Sequence, residues 1–421
     1  MSHIKPFRAF HYNLQKIKDP GEVVCPPYDV ISPEDQDYFY SLDPHNFIHI
    51  LLGKDQPEDD KSNNKYTRAQ KTFHEWLKEG ILIQDEKPAL YFYKQEFKIQ
   101  GQKYDRLGFI ALMELRDGEE SRVHPHENTH AHAIEDRLRL LRSVHANLSC
   151  IFVCYSDKHK KTEKIFNKQV ISEEPMITIE DRDKVKHKLW RVTDTALIEE
   201  MRTSLADQHV FIADGHHRYQ VALEYRRRKL EKESNPKADH PYNYVMTYFT
   251  NIDDRELQIF PMHRMVRRLP RVPDFMEDFF RMDRVKNKTD LSILLAQAGK
   301  NEHAFGLYMR EGIKLLRLKN KMLINKYIRE GSEVYRHLDA TILKYFIFDQ
   351  LGIESKDILY TKDLGEAIRM VDEKQADASF ILNPVKISQL KTIALNQERM
   401  PPKTTYFYPK VLSGLTVYKL D

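Results

Sequence analysis

His209-Val-Phe-Ile-Ala-Asp-Gly-His-His-Arg-Tyr-Gln-Val-Ala-Leu223 is the stretch on which the reading of the fold turns. Residues 210–213 are an apolar run of strand length and are expected to be buried. Asp214-Gly215 breaks the run. Residues 218–230 then have the period of a helix, with Tyr219, Ala222, Leu223 and Arg226 on one face. Asp214, Gly215, His216, His217 and Arg218 therefore fall in a strand-to-helix turn. The first N–H groups of a helix have no intrahelical acceptor and carry partial positive charge. Two imidazoles and a guanidinium beside such donors form a cradle for an anion, phosphate above all. Gly215 lets the backbone come close to it. Asp214 is the odd member, because a carboxylate suits a phosphate site only if it holds a metal ion, orients a histidine or touches a second substrate. A surface turn with Asp214 as the helix cap is the simpler alternative. Five such residues directly behind a buried strand weigh against it.

The chain has 421 residues, enough for two or three domains. A hydrophobic content of 41% allows real cores, and a charged content of 31% marks a soluble protein. With 67 basic and 63 acidic residues the net charge is +4, which argues against a dedicated nucleic-acid binder. The run Arg226-Arg-Arg-Lys229 reads as a solvated helix face. No apolar run approaches the roughly 18 residues of a membrane helix, and the opening Met1-Ser-His-Ile-Lys-Pro-Phe-Arg8 lacks the apolar centre of a signal peptide. Three cysteines imply no disulfide framework, so a reducing cytoplasm is expected. Cys150 and Cys154 flank an apolar run and read as core thiols.

Upstream, Cys25-Pro-Pro-Tyr-Asp-Val-Ile31 is a stiff extended piece, because Pro26 and Pro27 fix the backbone. Ser32-Pro33 opens a helix, and 66–80 is amphipathic and ended by Gly80. Alternation around Leu90, Phe92, Phe97 and Ile99 with Gly101 predicts an antiparallel hairpin. Strands are expected at 107–115, 149–155, 242–250 and 257–260, and helices at 134–147, 162–167 and 195–205. From about 270 to 400, helices at 274–280, 338–351, 364–371 and 387–395 alternate with strands at 303–308, 314–317 and 379–382. The tail 400–410 is Pro-bounded and aromatic, and 415–420 reads as a closing strand. The whole is a mixed α+β order.

Two further stretches carry chemistry. In His124-Pro-His-Glu127, Glu127 lies between a strand and a helix, where a carboxylate can take a proton from a hydroxyl substrate. His124, His126, His130, His132 and His145 crowd the same region, but the cluster has neither a cysteine partner nor the His-x3-His helix spacing of zinc sites. Lys403-Thr404-Thr405 offers an ammonium and two hydroxyls in a Pro-fixed loop, suited to phosphate or a polar substrate. There is no Walker A pattern, and no two of the fourteen glycines are spaced Gly-x-Gly. Phosphoryl transfer here would use neither a P-loop nor the protein-kinase signatures.

Lys5-Pro-Phe-Arg-Ala9, Pro26-Pro-Tyr-Asp-Val-Ile31, Pro125-His-Glu127, Asp136-Arg-Leu138, Ala146-Asn-Leu-Ser149, Asp214-Gly-His-His-Arg218, Pro261-Met-His-Arg264 and the 400–409 tail occur in one order along the chain. In this the chain resembles the family catalogued as domain of unknown function 1015, which includes the free L-serine kinases and has a ParB/sulfiredoxin-like core. The resemblance implies an N-terminal extension at 1–104, a nucleotide-binding catalytic core at 105–265 and a C-terminal α+β domain at 266–421. It implies a kinase that uses ADP or ATP with Mg²⁺ to phosphorylate L-serine. In that reading Glu127 is the base and Asp214 a second catalytic residue. Gly215, His216, His217 and Arg218 hold the nucleotide phosphates, and His126, Lys403, Thr404 and Thr405 line the serine pocket. The rival reading is a nucleotide-binding switch with a ParB-like fold and no turnover. It needs the 214–218 turn but neither Glu127 nor the threonines.

Overall fold

The computed structural model describes residues 4–118, 121–129, 131–235, 237–269 and 274–421 and has a mixed α+β architecture. The chain divides into two compact units. One comprises Met1–His124, Thr129–Leu257 and Pro409–Asp421; the other comprises Pro125–Asn128 and Gln258–Tyr408.

The first unit is built on one sheet. Its strands follow in the order Val123–His124, Val210–Asp214, Ile151–Tyr155, Tyr244–Asn251, Gln102–Glu114, Leu90–Ile99, Lys186–Val192 and Ile177–Glu180. Ile4–Lys5 also pairs with Gln102–Glu114. Val210–Asp214 runs parallel to Val123–His124, and Tyr244–Asn251 runs parallel to Ile151–Tyr155. The hairpin expected around Gly101 joins Leu90–Ile99 to Gln102–Glu114. Gln100 and Gly101 both have positive φ (49° and 83°), the two-residue turn whose twist suits a hairpin. Phe92, Phe109, Phe249 and Trp190 are buried in one cluster, with Phe109 and Phe249 stacked at 5.0 Å. Each such side chain stabilises the fold by about 1.5–3 kcal/mol on burial.

The N-terminal residues belong to the same body. The helices Pro33–Leu42, capped by Ser32, and Lys65–Lys78 share a core with Leu140 and Val144 of the Ala131–Val144 helix. A division at 104/105 would cut the Gln102–Glu114 strand, and one at 265/266 would cut the His263–Val266 strand. The structure instead divides at 257/258 and 408/409 and gives residues 125–128 to the second unit.

The second unit has an antiparallel sheet in the order Phe280–Val285, Gly312–Leu318, Ala304–Met309, Ala378–Ile381, His263–Val266 and Ile358–Thr361. The helix expected at 338–351 is an α-turn, a π-turn and a 3-10 turn in succession (Asp339–Leu343, Lys344–Phe348, Asp349–Leu351), closed by Gly352 at φ 63°. Phe346, Ile347 and Phe348 are all buried, and a regular helix could not turn three consecutive side chains to one core. The closing strand expected at 415–420 is reduced to Tyr418–Lys419, paired with Ala146–Asn147. Its neighbours Ser413 and Val417 bridge instead to Cys25 and Phe10. All three cysteines are buried, and none forms a disulfide. Among the described residues no helix is long and apolar enough to cross a membrane.

Candidate functional site

In the first unit the apolar run ends as expected: Val210–Asp214 is fully buried and the helix His216–Leu230 begins two residues on. Pairing with Ile151–Tyr155 slips between Ile212 and Asp214, which takes Asp214 off the regular pleat. Gly215 is the residue before the helix, at φ 92° and ψ 29°, and has no side chain with which to cap it. The helix buries Tyr219 and Ala222 against the sheet and Val221 and Tyr225 on another side, so two faces are covered where the sequence pattern showed one.

Arg218 folds back over the turn. Its Nη2 donates to Asp214 Oδ2 at 2.5 Å and its Nη1 to the Cys150 carbonyl. A Cβ built on Gly215 would sit 3.0–3.2 Å from the Arg218 guanidinium. Gly215 is therefore needed twice, for its positive φ and for the space the guanidinium takes. Gly215→Ala should lower the unfolding free energy by about 1–3 kcal/mol, read from urea denaturation. An unchanged midpoint would show that the turn accepts a side chain.

The other oxygen of Asp214 accepts from Lys410 Nζ at 2.6 Å. Burial by itself would raise the Asp214 carboxyl. The Lys410 ammonium and the Arg218 guanidinium, with His216 nearby, outweigh it and hold the group far below the usual carboxylate range. One carboxylate between two cations leaves a net positive turn, as an anion site requires.

In the sequence Lys410 is only the last residue of the 400–410 tail, and its one signal is a lone ammonium beside apolar and aromatic neighbours. A buried polar network holds its backbone. Gln95 Nε2 donates to the Lys410 carbonyl at 2.8 Å, and Arg106, 1% exposed, donates to the Pro409 carbonyl and, from Nε, to Gln95 Oε1 at 3.1 Å. Nearby, Tyr93 O–H donates to His187 Nδ1 at 2.6 Å, and His187 Nε2 donates to Asp181 at 2.9 Å. Burial outweighs Asp181 and lowers the His187 pKa, so the ring keeps the lone pair that the tyrosine needs.

The second unit brings together another part of the expected set. Met400 N–H donates to the His126 carbonyl at 2.8 Å, Arg399 Nη1 donates to the Pro125 carbonyl at 2.6 Å, and Glu127 bridges to Met400. The 125–128 segment is thereby laid along the 399–405 loop. His126 Nε2 is 3.2 Å from Thr405 Oγ1, which is 3.3 Å from Glu127 Oε1. Burial, with the Arg399 charge, pushes His126 down to about 3, so the ring is neutral. The roles then follow: His126 N–H donates to the threonine hydroxyl, and that hydroxyl donates to the Glu127 carboxylate. Thr404 is turned away, its hydroxyl 2.5 Å from the Pro401 carbonyl, and Lys403 is exposed at φ 53°.

The expected histidine cluster is dispersed. His124 pairs with His209 at 2.6 Å between ring nitrogens, His132 is exposed, and His130 lies outside the described residues. Among the described residues no group of three or more His, Cys, Asp or Glu side chains is placed to hold a metal ion.

The family model described as "Protein of unknown function (DUF1015)" matches residues 4–341. No curated protein matches the chain. Among solved structures, the chain is similar to a conserved hypothetical protein from Pyrococcus furiosus (13% identity, 68% of this chain and 87% of that one, TM-score 0.34). It is similar to a free serine kinase in complex with AMP (12%, 68% and 83%, TM-score 0.35). It is also similar to SbnI with a C-terminal truncation from Staphylococcus aureus (9%, 72% and 85%, TM-score 0.36).

Proposed function

The chain belongs to the DUF1015 family, and from that premise we propose that it is a small-molecule kinase that moves a phosphoryl group from ADP or ATP to the hydroxyl of free L-serine, giving O-phospho-L-serine. The observation that carries the reading is the line His126–Thr405–Glu127, in which an aliphatic hydroxyl already donates to the Glu127 carboxylate. A serine hydroxyl presented to Glu127 would make the same bond. Glu127 takes its proton, the serine oxygen bonds to the terminal phosphorus, and the bond to the bridging oxygen of the nucleotide breaks. Neutral His126 supplies a fixed N–H donor that orients the acceptor.

In the first unit, taken by itself, the 214–218 turn offers nucleotide phosphates the N–H groups at the start of the His216–Leu230 helix and the Lys410 ammonium. Arg218 serves this as a brace, because Asp214 and the Cys150 carbonyl occupy its Nη atoms. Asp214 does not fit as a Mg²⁺ ligand, since both of its oxygens accept from cations. Mg²⁺ enters the proposal only as the counter-ion of the nucleotide phosphates, and no step here runs through it.

The test is to incubate the purified chain with Mg²⁺, L-serine and either ADP or ATP and to follow O-phosphoserine by mass spectrometry. Product with one nucleotide is expected and names the donor. Nucleotide binding without product would leave the switch reading standing.

A further inference from the structure

Pro261-Met-His-Arg264 has no part in that proposal, yet it places a cation in the second unit at some cost. Arg264 is 3% exposed. Its guanidinium makes one hydrogen bond, Nη1 to the Met262 carbonyl at 3.2 Å, and lies 5.7 Å from the centre of the Tyr360 ring. Its Nη2 is buried without a hydrogen-bond partner, and among the described residues no carboxylate lies within ion-pair distance. Burial pushes the group down to about 10, so it is still charged at neutral pH. Tyr360 and Asp339, the latter beyond ion-pair distance, favour the charge on Arg264 and offset its burial only in part. Its presence points to something that complements it.

Met262, the residue Arg264 is bonded to, lines a cavity of about 190 Å³. Lys300, Lys321, Lys386, His303 and His337 line the same cavity. The two carboxylates on its wall are already engaged: Glu302 accepts from Arg317, and Asp339 accepts from His303 Nδ1 at 2.8 Å. His303 Nε2 is in turn 3.3 Å from His337 Nδ1. The wall therefore carries an excess of positive charge, and Arg264 lies behind it, bonded to the Met262 carbonyl. The volume holds a tetrahedral oxyanion with a few waters, each water taking about 30 Å³.

We propose that this cavity binds a phosphate group, either free or carried on a small metabolite. The assignment does not depend on the kinase reading.

The experiment is thermal unfolding of the full chain in rising inorganic phosphate against sodium chloride of matched ionic strength. Phosphate should raise the midpoint by a few degrees at saturation, and chloride should not. A variant with Lys300→Gln and Lys386→Gln, both at exposed positions, should keep the chloride midpoint and need several-fold more phosphate for the same shift. Arg264→Met should unfold in chloride at the same or a higher temperature and show a smaller phosphate shift, because the wall loses the field of the cation behind Met262. Glycerol phosphate acting at lower concentration than inorganic phosphate would assign the site to a phosphorylated metabolite, and the reverse order to the free ion. Equal midpoints in phosphate and chloride would overturn the proposal. So would a shift that the double lysine variant retains in full, since the 214–218 turn would then account for it.

Discussion

Glu127→Gln should cut the rate of O-phosphoserine formation by about 10²–10⁴-fold and leave the nucleotide dissociation constant unchanged. The substitution preserves shape. The amide oxygen still accepts from Thr405, whose hydroxyl is 3.3 Å from Glu127 Oε1, and Met400 N–H still meets the His126 carbonyl at 2.8 Å. What is lost is a group able to take a proton. Nucleotide affinity should be spared, because the phosphate-binding part assigned above consists of the 214–218 turn and Lys410. Isothermal titration with ADP and ATP, beside the mass-spectrometric assay, separates the two effects. Native-like turnover in the variant would remove Glu127 as the base. Loss of nucleotide binding together with turnover would show that the substitution disturbs more than proton transfer.

The parts of this chain that could be read from its sequence are those in which one local pattern decides the outcome. The apolar run 210–213, the break at Asp214-Gly215 and the helical period behind it required only neighbouring residues, and the structure has strand, turn and helix there. The Gly101 hairpin and the Ser32 cap are of the same kind. The strand Lys186–Val192 is hidden by its lysines: Lys188 pairs with Glu96 on the neighbouring strand at 2.7 Å, and His187 is held by Tyr93 from that strand and by Asp181 just before its own. Such a strand is polar in sequence and satisfied in space. Lys410 escaped for a related reason, since its meaning comes from Asp214, 196 positions away. Of the two threonines in the 403–405 loop the sequence could not choose. The structure turns Thr404 to its own backbone and Thr405 to His126 and Glu127. The compact units divide at 257/258 and 408/409, where the sequence has no marker, because strands joined by hydrogen bonds across long separations, such as Ile4–Lys5 on Gln102–Glu114, leave no composition signal.

Asp214→Asn should be the most damaging polar substitution in the first unit, lowering the unfolding free energy at neutral pH by about 3–5 kcal/mol. Asp214 is 9% exposed, and its two oxygens meet Lys410 at 2.6 Å and Arg218 at 2.5 Å. The amide keeps the volume but leaves two sequestered cations facing a neutral group. Linkage gives the loss a pH signature. The carboxyl is depressed in the folded chain and ordinary in the unfolded one, near 3.9. Its contribution is therefore complete above about pH 5 and declines as pH falls through 4 and below, where the unfolded chain takes up a proton that the folded chain refuses. The gap between native and variant, read from urea midpoints, should be constant from pH 7 to 5 and narrow from pH 4 downward. A gap that stays the same in acid would mean that Asp214 acts through its hydrogen bonds and shape, with its charge immaterial. A second variant tests the same point without changing pH. Lys410→Met in the Asp214→Asn background removes one of the stranded cations, so the double variant should be less destabilised than the sum of the two single ones. Strict additivity would show that the pair is not coupled. The net positive charge of the turn would then have to be argued from Arg218 and the helix start alone.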